Sequence, residues 1–117
     1  MISGVNAALS GLMALQKKVE SSANNIANVD TDGYKKTVVT LSNKVPQGVA
    51  AQVETVNTPG PVAYEQTSDG ETLVEQSNVD LAEELPNLML SRRFFQANLK
   101  TVQTEDQMLG DLLNTLG

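Results

Sequence analysis

The sequence predicts a mainly α-helical fold, in which long N- and C-terminal helices pack as a coiled-coil-like hairpin with a small β-hairpin or meander inserted between them. Three observations predict it. Apolar residues recur at heptad spacing in the last third of the chain and again in the first 27 residues, whereas the middle shows a two-residue alternation and several turns. We therefore divide the chain into residues 1–36, 37–77 and 78–117, which together form one domain.

The composition of this 117-residue chain argues against an enzyme. It contains no histidine and no cysteine, which excludes Ser-His and Cys-His nucleophiles and zinc or iron sites built from those ligands. Paired catalytic carboxylates would have to come from acids such as Glu83, Glu84, Glu105 and Asp106, but helix capping and solvation explain these residues. We expect no catalytic residue, no cofactor, no metal and no small-molecule substrate.

Charge is distributed unevenly along the chain, whose net charge is −6. Residues 1–44 carry five lysines and three acids, whereas residues 45–117 carry three bases and eleven acids. An acidic chain without a basic stripe is not expected to bind nucleic acid. The asymmetry is interpreted either as an unevenly charged solvated surface or as an aid to head-to-tail association between copies.

Neither membrane insertion nor a cleaved signal is expected. The sequence has no run of about 18 apolar residues that would span a bilayer. Its first four residues lack the basic region and continuous apolar core of a secretory signal. If the protein leaves the cytoplasm, we expect a route that needs no cleaved signal peptide.

The first helix is predicted over residues 3–27. Val5, Leu12, Val19 and Ile26 recur every seven residues, and Leu9 lies in the intermediate seam. Glycine, alanine and serine are plentiful here and permit close approach of a neighbouring backbone. Because glycine weakens a helix by up to about 1 kcal/mol, this segment should be stable only when a partner covers its apolar stripe.

An Asn-rich turn follows the first helix. Three asparagines within residues 24–28 favour a helix end, and residues 31–34 are typical of a β-turn with Gly33 at the position that requires positive φ. Residues 28–33 match the first half of a calcium-binding EF-hand loop. The twelfth position, however, is Val39 instead of a bidentate glutamate, so calcium binding is not expected.

The same stretch resembles the N-terminal signature of the bacterial flagellar rod and hook proteins. Residues 9–16 followed by 22–35 are similar to it, and its generic form ends Ser-Ala-x-Asn-Ile-Ala-Asn-x-x-Thr-Pro-Gly-Tyr. Asp32 stands where the family usually has proline, which keeps the turn but makes it less rigid. The matching residues are Asn25, Ile26, Ala27, Asn28, Thr31, Gly33 and Tyr34.

The middle segment is predicted to be a small β structure. Residues 49–54 alternate in polarity, as in a half-buried strand, and residues 58–61 form a strong turn. Residues 62–66 return as a second strand, and a third lies near 72–74, giving a hairpin or a three-stranded meander. It is too small to be stable alone. A middle segment of about 40 residues is short for the family, so the resemblance implies a proximal-type rod subunit.

The C-terminal helix is predicted from its heptad repeat. Asp80 followed by Glu83 resembles a capping box, but Pro86 would remove a hydrogen bond to Ala82 and kink a helix that began there. We favour a short turn over residues 80–84 and a main helix from about Leu85. The seam positions are Leu81, Leu85, Leu88, Arg92, Phe95, Leu99, Val102, Asp106, Leu109, Leu113 and Leu116, of which nine are apolar.

Two of these seam positions are charged. Arg92 and Asp106 either snorkel to solvent at the edge of the stripe or fix the register of a helix pair. They are 14 residues apart, too far to bond within one helix.

This helix also resembles the C-terminal signature of the same flagellar family, Arg-x-Phe/Tyr-x-Ala-Asn followed by Asp-x-Met-Leu. The resemblance implies a structural subunit of the flagellar basal-body rod that polymerises through its terminal helices into a torque-transmitting tube. It also implies two kinds of partner. These are axial flagellar proteins, including further copies of this chain, and the flagellar export apparatus. The matching residues are Arg93, Phe95, Ala97, Asn98, Asp106, Met108 and Leu109.

The predicted assembly interface is the apolar seam of both helices. Its members are Val5, Leu9, Leu12, Val19, Ile26, Leu85, Leu88, Phe95, Leu99, Val102, Leu109, Leu113 and Leu116. The alternative to a rod subunit is a non-enzymatic helical-hairpin adaptor or scaffold that forms a discrete oligomer. A non-closing oligomer favours the first hypothesis, and a discrete dimer or tetramer favours the second.

Overall fold

The computed structural model describes residues 2–117 and confirms the predicted fold class, two long helices joined by a β-rich segment. The molecule is extended, with principal dimensions of 79 × 24 × 20 Å. Its longest helix, which at 36 residues and about 1.5 Å per residue measures roughly 54 Å, accounts for about two thirds of the 79 Å length. The elements are α1 (Ile2–Ala27), β1 (Thr37–Asn43), β2 (Val49–Thr55), β3 (Val62–Thr67), β4 (Gly70–Glu75) and α2 (Leu81–Leu116).

The two helices lie antiparallel against each other. Because the facing residues are spaced by multiples of seven on both helices, the register is that of a heptad-based pair. The last eleven residues of α2, 106–116, are all exposed. The facing pairs that define the register are Gly4 with Glu105, Gly11 with Asn98, and Asn25 with Glu84.

The middle segment is β-rich, as predicted, and the three predicted strands are present. They belong to two separate antiparallel hairpins instead of one hairpin or a three-stranded meander. The strand that the prediction missed is β1, which pairs along its whole length with β2, from Thr37↔Thr55 to Asn43↔Val49. Its residue Val39 is buried and pairs with Val53. The alternation of Val39 and Leu41 was the available signal.

The first hairpin, β1–β2, packs on α1, whereas the second, β3–β4, contacts no other helix or strand among residues 2–117. In β3–β4 the strands pair from Val62↔Glu75 to Thr67↔Gly70, with Tyr64 opposite Leu73. Gly70 closes the turn at φ 120°, a conformation that side chains disfavour. The second hairpin therefore projects from the rest of the molecule.

The start of α2 differs from the sequence prediction. The helix begins at Leu81 with Pro86 inside it, and the predicted start near Leu85 was wrong. The Asp80 carboxylate accepts a hydrogen bond from the backbone N–H of Ala82 at 2.9 Å, and its carbonyl accepts from Glu84. These bonds stabilise the first turn, and Pro86 removes only one intrahelical bond at a solvent-exposed position.

The interior of the described chain is small and largely polar. Its buried apolar residues are Ala8, Ala14 and Val39, and its buried polar residues are Ser21, Ser22, Asn25, Ser77, Glu84 and Ser91. Small side chains let α1 approach its neighbours closely, and most large apolar side chains remain on the surface. Within residues 2–117, no helix has both the length and the apolar character required to cross a membrane.

Candidate assembly interface

The face of α2 that packs on α1 carries a polar residue at every seventh position. Two of them are almost fully buried, Glu84 at 5 % and Ser91 at 2 % exposure. On α1 the facing positions include glycines, where an added Cβ would lie 2.5 Å from Asn98 Nδ2 at Gly11. Because glycine has no side chain, these positions of α1 leave room for the polar groups of α2. We name this series the polar ladder; its members are Glu84, Ser91, Asn98 and Glu105.

Asn98 fixes the middle of the helix pair. Its side-chain Nδ2 donates a hydrogen bond to the backbone carbonyl of Ala8 at 2.8 Å. A backbone acceptor on a facing helix selects one register, since a slip of the helices would leave the half-buried amide without this bond. The sequence placed Asn98 in the family signature but did not indicate which atom it binds.

Glu105 lies at the other end of the ladder, beside Gly4 in the first turn of α1. A carboxylate beside a helix N-terminus interacts favourably with the helix dipole. Its Oε2 atom is buried without a hydrogen-bond partner among residues 2–117. This end of the pair is therefore held by fewer directional contacts than the opposite end.

At the opposite end of the helix pair, α1, β1 and α2 meet around Asn25, which is only 1 % exposed. Its Nδ2 donates to Thr37 O at 2.8 Å and to Glu84 Oε1 at 3.0 Å. Its Oδ1 accepts from Thr37 N at 2.9 Å and from the Tyr34 hydroxyl at 3.2 Å. All the hydrogen-bonding capacity of the buried amide is satisfied, so one residue links three elements.

The remaining signature residues shape the turn that leads to this junction. Asn28 Nδ2 donates to Asn24 O at 2.8 Å and caps the end of α1, and its Oδ1 accepts from Thr31 at 3.1 Å. Gly33 has φ 65°, the conformation predicted for it, and its N–H donates to Glu75 O at 2.8 Å. The turn thus brings Tyr34 within reach of Asn25.

Two residues outside the signatures complete the junction. Asn78 accepts from Lys36 N at 2.6 Å and donates to Val56 O at 2.8 Å, so it joins the strand ends to the start of α2. The Glu75 carboxylate pairs with Lys35 and accepts from Gly60 N at 3.0 Å. The bond to Lys35, and then that to Gly60, holds the pKa of Glu75 below its ordinary value of 4.5. Sequence reasoning missed both, because neither belongs to an apolar repeat.

A second face of α1 carries the β1–β2 hairpin. Ser10 Oγ accepts from Val49 N at 3.0 Å, and Ser21 Oγ donates to Thr37 O at 3.0 Å. Ala14 lies between them and is buried. The small residues of α1 therefore pack against the β1–β2 hairpin on this face, and against α2 on the adjacent face.

The predicted seam residues divide into two groups. Half-buried along the helix pair are Leu12, Val19, Ile26, Leu88, Phe95 and Val102. Exposed are Val5, Leu9, Leu85, Leu99, Leu109, Leu113 and Leu116. The stripe of α2 that packs on α1 is rotated by one residue from the predicted one, because the polar ladder takes the place of Leu85, Arg92, Leu99 and Asp106. Their role in assembly stays a prediction.

The exposed seam borders two grooves between the helices. One, of about 270 Å³, is lined by Gln16, Val19, Arg92 and Phe95. The other, of about 260 Å³, is lined by Ile2, Val5, Asn6, Val102, Glu105, Asp106 and Leu109. Arg92, Arg93 and Asp106 form no ion pair within the part of the chain that the structure describes. The grooves and their charges thus face solvent.

Each end of the chain matches a known family of flagellar rod proteins. A family described as flagella basal body rod protein matches residues 6–35, and one described as flagellar basal body rod FlgEFG protein C-terminal matches residues 72–115. Together they cover more than half of the chain and leave out most of the middle segment. The matched ranges contain Asn25 and the whole polar ladder.

Individual relatives agree with the family matches. The flagellar hook protein FlgE of Salmonella typhimurium is 37% identical over 65 residues, 56% of this chain and 16% of that protein. The flagellar basal-body rod protein FlgG of Bacillus subtilis is 36% identical over 67 residues, 52% of this chain and 25% of that protein. The flagellar basal-body rod protein FlgC of Borreliella burgdorferi is 26% identical over an alignment of 148 residues, covering 99% of this chain and 97% of that protein. The chain therefore spans about a sixth of the Salmonella hook protein and nearly all of the Borreliella rod protein.

Proposed function

We propose that this chain, which belongs to the family of bacterial flagellar basal-body rod proteins, is a structural subunit of the rod. In this proposal it polymerises through its terminal helices into a helical tube and transmits torque. It works by assembly and without catalysis. The observation that carries the proposal is that both family matches fall on the antiparallel helix pair, α1 and α2, and that this pair leaves a long apolar stripe uncovered.

The uncovered stripe supports assembly on energetic grounds. Leu99 and Leu113 on α2 are 40 % and 64 % exposed, and Leu9 on α1 is about half exposed. Full burial of such a side chain contributes about 1.5–3 kcal/mol. Neighbouring copies that cover several of these residues would gain enough to offset the ordering of a long, thin subunit. The predicted assembly-interface residues remain part of this proposal.

Partners and location follow from the same proposal. We expect the chain to assemble with further copies of itself and with other axial flagellar proteins, and to lie in the basal-body rod. We also expect it to reach that place through the flagellar export apparatus without cleavage of a signal peptide.

The genetic test is deletion of the gene in its source bacterium, with hooks and filaments counted by electron microscopy. We expect both to be lost and to be restored by the intact gene. A Leu99→Glu/Leu113→Glu variant should not restore them, because it places charge in the stripe. Met89→Glu, at a residue 60 % exposed outside the stripe, is the matched control and should restore them. Normal flagella in the deletion strain would contradict the proposal.

A solution experiment separates the two hypotheses. Sedimentation of the purified chain over a range of concentrations should show open-ended, heterogeneous association. A single dimer or tetramer that does not grow with concentration would instead favour the adaptor or scaffold hypothesis. The Leu99→Glu/Leu113→Glu variant should remain folded, as judged by circular dichroism, and associate less than the native chain.

A further inference from the structure

The β3–β4 hairpin is joined to the rest of the described chain through Glu75, which contacts Gly33 and Lys35 in the turn after α1. No other helix or strand among residues 2–117 contacts it. Tyr64 and Leu73 lie opposite each other on one of its faces and are 72 % and 62 % exposed. Val62 lies on the same face by the two-residue alternation of the strand. Because a two-stranded hairpin is only marginally stable alone, we expect another molecule to bury this apolar face.

A second partly apolar surface is the groove between α1 and the β1–β2 hairpin. It has a volume of about 350 Å³. Its apolar lining comes from Met13, Ala14, Val49 and Ala51, and its charged residues are Lys17, Glu20 and Lys44. Met13 is exposed, so the apolar floor is open to solvent. The hairpin of the same chain does not reach it, since β3 and β4 make no contact with α1.

The charges of the two surfaces are complementary. Residues 62–75 carry four acids and no base. Glu75 is paired with Lys35, and the other acids, Glu65, Asp69 and Glu71, are exposed. In the groove, Lys17 pairs with Glu20 at 3.4 Å, whereas Lys44 has no ion pair within residues 2–117. The hairpin is therefore acidic, whereas the groove carries one positive charge, that of Lys44, without an ion-pair partner among residues 2–117.

We propose that the Tyr64–Leu73 face of one copy docks in the α1/β1–β2 groove of a second copy. Glu71, which lies on the same face as Leu73, is then directed toward Lys44. The contact joins two different surfaces, so each bound copy still offers a free groove or a free hairpin to the next copy. Such an assembly can grow without closing into a ring. The inference rests on the proposed function in that it names surfaces through which rod subunits join.

Crosslinking tests the contact directly, because the native chain contains no cysteine. Two single-cysteine chains are mixed, one with Leu73→Cys and the other with Met13→Cys, and are treated with a short bismaleimide. Heterodimers are then counted by mass spectrometry. We expect a yield about tenfold above that of the control mixture of Leu73→Cys with Met89→Cys, since local concentration governs the reaction of bound copies.

Another occupant of the groove is tested in the same experiment. The exposed end of α2, residues 106–116, is also apolar and acidic. A mixture of Leu113→Cys with Met13→Cys measures whether this segment fills the groove instead. A high yield from that mixture together with background yield from Leu73→Cys would overturn the proposal.

Substitutions provide a second measurement. Tyr64→Ala should weaken association about 30-fold, as for a buried aromatic anchor of an interface. Lys44→Glu and Glu71→Lys should each weaken it about two- to fivefold, and the two together should recover most of the loss. Circular dichroism confirms that each variant folds. Unchanged association of Tyr64→Ala would overturn the inference.

The outcomes separate this inference from the proposed function. If open-ended assembly forms and the Leu73–Met13 crosslink stays at background, the docking contact is wrong and the rod proposal stands. If the crosslink forms but the chain stops at a discrete oligomer and the deletion strain makes normal flagella, the contact is right and the rod proposal fails.

Discussion

The two ends of the helix pair are built in different ways. At the end where α1 stops and α2 starts, Asn25 joins three elements through four hydrogen bonds and is 1 % exposed. At the opposite end Glu105 has a buried oxygen without a hydrogen-bond partner among residues 2–117, and α2 runs on with every residue from 106 to 116 exposed. We call these the closed end and the open end.

The difference shows how a thin protein can fix one arrangement of its helices and still leave apolar side chains uncovered. The closed end fixes the register through polar groups whose bonds have defined directions, which penalises every other arrangement. The open end keeps its leucines uncovered, and apolar burial is strong but not directional. The register of the helix pair is therefore fixed mainly at the closed end, whereas the open end adds a run of uncovered leucines that partners can bury.

The largest expected effect comes from breaking the closed end with Asn25→Ala. The substitution leaves the buried Glu84 carboxylate and the Thr37 N–H without their partner, so the free energy of unfolding should fall by about 3–5 kcal/mol. Urea unfolding followed by circular dichroism measures it. Asn24→Ala, at the exposed neighbouring position, is the control and should change the value by less than about 0.5 kcal/mol. A loss below 1 kcal/mol for Asn25→Ala would contradict the role of this junction.

Two helix glycines test the packing between the ends. Gly11→Ala should destabilise the fold by about 1–2 kcal/mol, because the new Cβ would lie 2.5 Å from Asn98 Nδ2 and displace its hydrogen bond. Gly110→Ala, whose new Cβ has no neighbour within 4 Å among residues 2–117, should stabilise α2 by about 0.5–1 kcal/mol through helix propensity. Both values come from urea unfolding. Equal effects of the two substitutions would mean that the polar ladder does not require a gap in α1.

A smaller effect concerns the pH dependence of the closed end. Since the pKa of Glu75 is below 4.5 in the folded chain, its ionised form stabilises the fold above the unfolded pKa, and this contribution is lost as pH falls through the folded pKa. Unfolding should therefore show wild type more stable than Glu75→Gln at pH 7, with the difference shrinking below pH 4.5. Glu65→Gln, on the exposed surface of β3, is the matched control for the loss of one carboxylate. A difference that grows on acidification would have the wrong sign.

The smallest effect on stability is expected at the open end. Leu113→Ser should change the free energy of unfolding by less than about 0.5 kcal/mol, because the side chain is already 64 % exposed. The same variant should reduce association measured by sedimentation. If it unfolded the chain and left association unchanged, the distinction between the two ends would be wrong.

The sequence predicted the helices, the Gly33 turn and the fold class because each has a repeat or a turn signature of its own. It did not predict the rotation of α2, since the packing face is set by Glu84, Ser91 and Asn98, which a search for apolar residues passes over. β1 was missed because its alternation is short, and the first turn of α2 because Pro86 weakens the local signal. Contacts such as Asn25 with Glu84 join residues 59 positions apart, and no local pattern encodes them.

The most direct test of the central claim is the composition of isolated hook–basal bodies. Purified particles from the source bacterium should contain this chain, detected by mass spectrometry, and particles treated to remove hook and filament should retain it with the rod. Particles that lack the chain, from cells that produce it in quantity, would contradict its proposed place in the rod.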